Sequence, residues 1–128
     1  MAGDGTNTPN GEPVLDVTTL TALEGRLGRD RVVRVVAAQL SNGRDVARRL
    51  SAFEIAPDAA AVKALAHQLA GSSGSIGLLR LSGEAASAER AAGTAVLPEL
   101  AAVVRGLRLC LEASLEALCR RYPEAADR

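Results

Sequence analysis

From residue 100 onward the apolar side chains Leu100, Val104, Leu107, Leu111, Leu115, Leu118 and Tyr122 recur at steps of three and four. That spacing puts all seven on one face of a helix and argues against a strand, whose side chains change face at every residue. Pro98, just ahead, suits a first helical turn. A stripe this long needs other apolar faces to pack against.

The rest of the chain supplies them in the same period. A short helix is expected over 17–27, with Leu20, Leu23 and Leu27 on one side, Asp16 as its cap and Gly28 as its stop. A second is expected over 31–54 behind Asp30, carrying Val32, Val36, Leu40, Val46, Leu50 and Phe53. Asn42 and Gly43 interrupt that run and suggest a kink. Pro57 and Asp58 open a third over 59–76, which Gly77 ends. A fourth runs over 79–92 with Leu81, Ala85, Ala88 and Ala92 inward, and Gly93 and Thr94 break it. Strand formers other than Val are scarce: the chain has no Trp, one Phe and one Tyr, so its core must be Leu, Val and Ala.

These amphipathic helices and short connections predict an all-α fold, an antiparallel four-helix bundle with the short extra N-terminal helix laid across one end as a cover. The bundle is expected over 14–122, with a disordered N-terminal tail at 1–13 and a C-terminal tail at 123–128. The last helix's stripe reads as core, although part of it also suits a dimer seam.

Fifteen basic residues balance fifteen acidic ones, and neither a basic stripe nor stacking aromatics are visible, which argues against nucleic acid as a partner. No apolar run is long enough for a transmembrane helix. Residues 1–13 lack the apolar stretch of a signal peptide, so the expectation is a cytoplasmic protein. Cys110 and Cys119 are nine apart; on one helix they point to opposite faces about 13 Å apart along the axis, too far to bridge. They read as buried or idle thiols.

The third helix departs from these packing rules. At about 100° per residue, Val62, Leu65, Ala66, Leu69, Ser73 and Ile76 share the core face, and His67 falls about 140° from Val62 on the outer side. Around it stand Lys63, Ala70, Gly71 and Gly74. An exposed helix interior ordinarily takes long polar residues, and each internal Gly costs about 1 kcal/mol relative to Ala. Small residues there gain nothing from the core, and such a broken rule points to function.

One exposed histidine limits the chemistry. A metal site needs several ligands, and the chain has a single His, with both Cys on another helix, so no metal is expected. Ser72 lies far around the helix from His67, so a Ser–His nucleophile is not assembled. Covalent carriage on the imidazole needs only access and a positive surround, and a phosphoryl group is the obvious cargo.

The segment Ala66-His67-Gln68-Leu69-Ala70-Gly71-Ser72-Ser73-Gly74-Ser75-Ile76-Gly77 resembles the signature of histidine-containing phosphotransfer (HPt) domains, roughly H-x-L-K-G-S-S/A-x-x-x-G. Leu81, Glu84 and the acidic stretch through Glu89 continue the likeness. The resemblance implies a helical bundle acting in two-component phosphorelays. His67 would be phosphorylated on its solvent-facing nitrogen, accepting the group from a receiver-domain aspartate or a kinase and passing it to another receiver. Gly71 would clear room for that receiver, and Ser72 and Ser73 would fill small-polar positions. Partners would be response-regulator receiver domains and a hybrid histidine kinase. The domain would have no kinase activity and no cofactor of its own, with Mg²⁺ on the receiver.

Where the family has Lys three residues after the histidine, this chain has Ala70. Lys63, one turn before His67 on the same face, is then the candidate counter-charge, with a solvated lysine as the plainer reading; Arg80 and Arg90 are further candidates. For Glu89, a solvated charge is favoured over a hydrogen bond to the imidazole. Gly74 stands evenly between a docking role and close helix approach. The missing lysine also fits a second reading, a non-transferring module that binds a receiver or kinase.

Overall fold

The computed structural model describes residues 11–127. Five α-helices follow one another: α1 (Val17–Leu27), α2 (Arg29–Ile55), α3 (Ala59–Ser75), α4 (Leu79–Ala92) and α5 (Leu97–Arg121). A 3₁₀ turn, Pro123–Asp127, closes the chain, and the described residues include no strand. The connections at 56–58, 76–78 and 93–96 are short, so each of α3 to α5 reverses direction on the one before. Packing is closest between α3 and α4 and between α2 and α5; α4 also packs on α5, while α2 touches α3 only lightly. The fold is thus the expected all-α bundle, with α1 as an extra helix.

Leucine and valine fill the interior as the composition requires. Leu20, Val36, Leu50, Val62, Leu81, Val104, Leu111 and Leu118 are wholly enclosed. Burying a side chain of this size contributes about 1.5–3 kcal/mol, and in a core whose one fully buried aromatic among the described residues is Tyr122, many such increments replace a few big ones.

The ends of α3 fix where the site will stand. Asp58 adopts an extended backbone and its carboxylate accepts the Ala61 N–H at 3.1 Å, capping the helix as its position before an alanine run suggests. At the other end Gly77 turns the chain with φ +81°, a conformation that costs glycine nothing. Its bare Cα has a second use: an added Cβ would lie 3.2 Å from the Asp16 carbonyl oxygen and 3.3 Å from Thr19 Cβ. The Asp16 N–H donates to the Gly77 carbonyl at 2.8 Å, so the start of α1 is fastened to the α3–α4 turn.

Several local expectations change. Asp16 holds the N-cap position of α1, but its carboxylate takes the Thr19 hydroxyl at 2.6 Å rather than a backbone N–H. Asp30 does not cap α2; that helix begins one residue past Gly28 (φ +84°), leaving Asp30 in the first turn, where its charge favours the helix's positive end. Asn42 and Gly43 do not interrupt α2, which is continuous to Ile55. Gly43 is buried against α5, and the space a Cβ would need is held by Leu115.

The expected C-terminal tail is part of the fold. Ala125 of the closing turn is buried, and the enclosed Tyr122 donates its hydroxyl to Glu24 at 2.6 Å. Arg29 lies 4.8 Å from the centre of the Tyr122 ring and pairs with Glu124 at 2.9 Å. These contacts join α1, the start of α2 and the chain's end. Of the expected N-terminal tail, residues 1–10 lie outside the described residues. The Pro13 carbonyl accepts the Arg80 N–H at 2.9 Å and the Glu12 carbonyl accepts Arg80 Nε at 3.2 Å. Cys110 and Cys119 are free and half-buried, and burial pushes the Cys110 thiol up.

Candidate functional site

Helix α3 turns Val62, Leu65, Ala66, Leu69 and Ser73 inward, all buried, and this phase carries His67 to the outside. The imidazole is 74 % exposed. No core contact explains it, yet one of its two nitrogens is engaged. Nδ1 lies 3.1 Å from Glu89 Oε2 and 3.2 Å from Oε1.

Glu89 therefore does not stand free in solvent as the sequence favoured. Its carboxylate reaches the imidazole because α4 lies close along α3. The inward face of α4 is mostly alanine, with Ala85, Ala88 and Ala92 buried. Farther along the same seam, Ser82 donates its hydroxyl to the Ala70 carbonyl at 2.8 Å. A Cβ on Gly74 would stand 3.2 Å from Ser82 Oγ. Gly74 thus faces α4 and admits its close approach, the second of the two readings the sequence left open and not the docking role.

An ionised carboxylate can only accept a hydrogen bond. The His67–Glu89 contact is a hydrogen bond only when Nδ1 carries the proton, and in the neutral ring Nε2 then holds the lone pair. The pair selects a tautomer whose nucleophilic nitrogen is Nε2.

Short side chains surround the imidazole. Gly71, one turn on, is exposed, and an added Cβ there would meet nothing within 4 Å. Ala60, Lys63, Ala64, His67, Gln68 and Glu89 line a shallow open groove across α3 and α4. Lys63 is exposed and has no ion pair among the described residues, so its ammonium can turn toward a negative group on His67. Ala70 is half-buried and packs on the core rather than facing outward.

The two arginine candidates separate. Arg80 sits nine residues before Glu89 on α4, about 13 Å along the axis, and is engaged with Glu12 and Pro13; it stands away from the imidazole. Arg90 follows Glu89, is exposed, and donates to Ser87 Oγ at 3.2 Å. Ser72 donates weakly to the Leu69 carbonyl at 3.4 Å, and Ser73 is buried in the core face. Both are local packing features. Sequence reasoning missed Ser82, and its only trace was a small polar residue opposite Gly74. Among the described residues no group of three His, Cys, Asp or Glu side chains is placed to hold a metal ion, and no helix is long and apolar enough to cross a membrane.

Comparison with known proteins identifies the family. The family model for the Hpt domain matches residues 34–121. Neither the curated proteins nor the solved structures gave a match. The matched span takes in most of the long α2 and all of α3, α4 and α5, well over half the chain, and the chain belongs to the Hpt domain family.

Proposed function

We propose that the protein is a phosphorelay intermediate that carries a phosphoryl group on His67. Histidine phosphotransfer in phosphorelays is the family's role, exercised with receiver domains and histidine kinases. The finer reading is that His67 accepts from a receiver-domain aspartate, or from a kinase, and donates to another receiver. A hybrid histidine kinase is the expected upstream partner.

One observation carries the reading: the chain's single histidine is exposed with Nδ1 occupied by Glu89, leaving Nε2 for a partner. In the accepting step the Nε2 lone pair forms the N–P bond as the P–O bond to the receiver's aspartate breaks, and that carboxylate leaves with the electron pair. Phosphoryl transfer of this kind asks for positioning and charge neutralisation more than for covalent chemistry. The receiver would contribute the aspartate and the Mg²⁺. This chain would contribute a fixed imidazole, the clearing at Gly71 and a nearby ammonium at Lys63. It acts as a carrier with no kinase activity of its own.

Ala70 favours one competing reading, a module that docks on a receiver or kinase without transferring. The two part in a paired measurement of receiver affinity and transfer, using the protein and its His67→Ala variant. The carrier reading expects affinity to change little and transfer to vanish in the variant. Equal binding by both with no transfer by either would establish the docking module instead.

A further inference from the structure

Glu89 touches the ring at the nitrogen that does not react, and this bears on how phospho-His67 discharges. Resting on the carrier reading, we infer that Glu89 is a positioning residue that keeps a proton on Nδ1 of phospho-His67 and thereby keeps the phosphoryl group labile and ready to leave.

The electron count shows why. When Nε2 of the neutral ring bonds to phosphorus while Nδ1 keeps its proton, the ring becomes an imidazolium. If that proton stays, the departing group in the next transfer is neutral imidazole: the N–P bond breaks, its electron pair returns to Nε2, and the phosphoryl group passes to a receiver aspartate or to water. If Nδ1 has lost its proton, the same cleavage must expel an imidazolate anion, a far poorer leaving group. A carboxylate 3.1 and 3.2 Å from Nδ1 stabilises the protonated ring by a charge-assisted hydrogen bond. It does nothing for the deprotonated ring, toward which it presents only negative charge.

The surrounding charges leave Glu89 as the group in contact. On α3 the nearby charged residue is Lys63, which stands beside the imidazole with no ion pair among the described residues. On α4 they are Glu89 and Arg90, the latter donating to Ser87. On α2, Arg49 lines the groove on the other side of α3 with Leu65 and Gln68. Among the described residues only Glu89 is bonded to a ring nitrogen. Ala70, where the family has a lysine, adds no charge that would hold the phosphoryl group in place. Both features act in one direction, toward discharge.

The test needs no receiver. The full chain and its Glu89→Gln and Glu89→Ala variants are phosphorylated with phosphoramidate, a small-molecule donor. Decay of phospho-His67 is then followed by ³¹P NMR across a pH series, with folding checked by circular dichroism. At mildly alkaline pH both variants should keep the label several-fold longer than the parent. In mild acid, where solvent protonates Nδ1 in every form, the lifetimes should converge. Glu89→Gln keeps an oxygen that can accept from Nδ1–H, so a lifetime between those of the parent and Glu89→Ala separates charge from mere shape. Equal lifetimes at alkaline pH, or a shorter lifetime in the variants, would overturn the inference while leaving the carrier reading intact. No label on His67 in the parent would overturn the carrier reading, and this inference with it.

Discussion

Gly43 and Leu115 meet where α2 crosses α5, so closely that a Cβ on the glycine would lie 2.6 Å from Leu115 Cδ2 and 3.2 Å from its Cγ. The glycine lets the two longest helices come together without a gap. Leu115 is itself buried. Replacing Gly43 with Leu should therefore separate the helices or push Leu115 off its rotamer, with a loss of about 1–3 kcal/mol from overpacking. Urea unfolding of Gly43→Leu should show the lowered midpoint. An unchanged midpoint would mean that the contact yields easily.

Gly71 is the opposite case. With open space around it, Gly71→Ala should stabilise the helix by up to about 1 kcal/mol. Gly71→Leu and Gly71→Arg should fold as well as the parent. All three place a side chain beside the imidazole, and the larger two should stop transfer by blocking the receiver's approach. Transfer at the parent's rate by a folded Gly71→Arg would show that the clearing is not used.

The contrast between these glycines marks how much was legible in the sequence. Helical periodicity located five helices within a few residues, because apolar stripes are written directly in the chain. Gly43 looked like a kink because the sequence does not reveal which residue stands opposite a glycine; that partner, Leu115, lies on another helix. From the sequence Glu89 reads as a solvated charge for the same reason, since the register of α4 on α3 depends on Gly74, Ser82 and the buried alanines of α4. His67 was legible because its exposure follows from the phase of its own helix. The 3₁₀ turn after Tyr122 was not, because Ala125 carries no pattern that distinguishes a docked turn from a tail.

Lys63 is the one Lys or Arg on the imidazole's own helix, and Ala70 takes the place of the family's lysine. An exposed ion pair contributes only about 0.2–1 kcal/mol, so Lys63→Ala should slow transfer no more than several-fold. Ala70→Lys should speed the step in which His67 accepts the phosphoryl group and lengthen the phosphohistidine lifetime. Because Ala70 is half-buried and packs on the core, a small stability loss is expected with the gain. A kinetic series of both single variants and the double variant, at two salt concentrations, measures this. If Lys63→Ala changes nothing while Ala70→Lys raises both quantities, Lys63 is a bystander.

At the far end of the molecule, burial and then the hydrogen bond to Glu24 raise the Tyr122 hydroxyl above the ordinary tyrosine range. Folding thus favours the neutral phenol. Its contribution is fully present below the ordinary tyrosine pKa and is lost as pH climbs through the raised folded value. Tyr122→Phe should cost about 1–2 kcal/mol at neutral pH, since Arg29 still contacts Glu24. The gap between parent and variant should narrow in strong alkali, and transfer should be unaffected. Unfolding curves at several pH values test this, and a gap that widens with pH would contradict it.

The central claim is that one nitrogen of one side chain carries the phosphoryl group, and the most direct measurement is label transfer from a phosphorylated receiver domain. The protein and its His67→Ala variant are each mixed with the labelled receiver, and the protein-bound label is assayed for acid and alkali stability. Acid-labile, alkali-stable label is expected on the parent and none on His67→Ala. Equal label on the two proteins, or none on the parent with any cognate receiver, would contradict the claim.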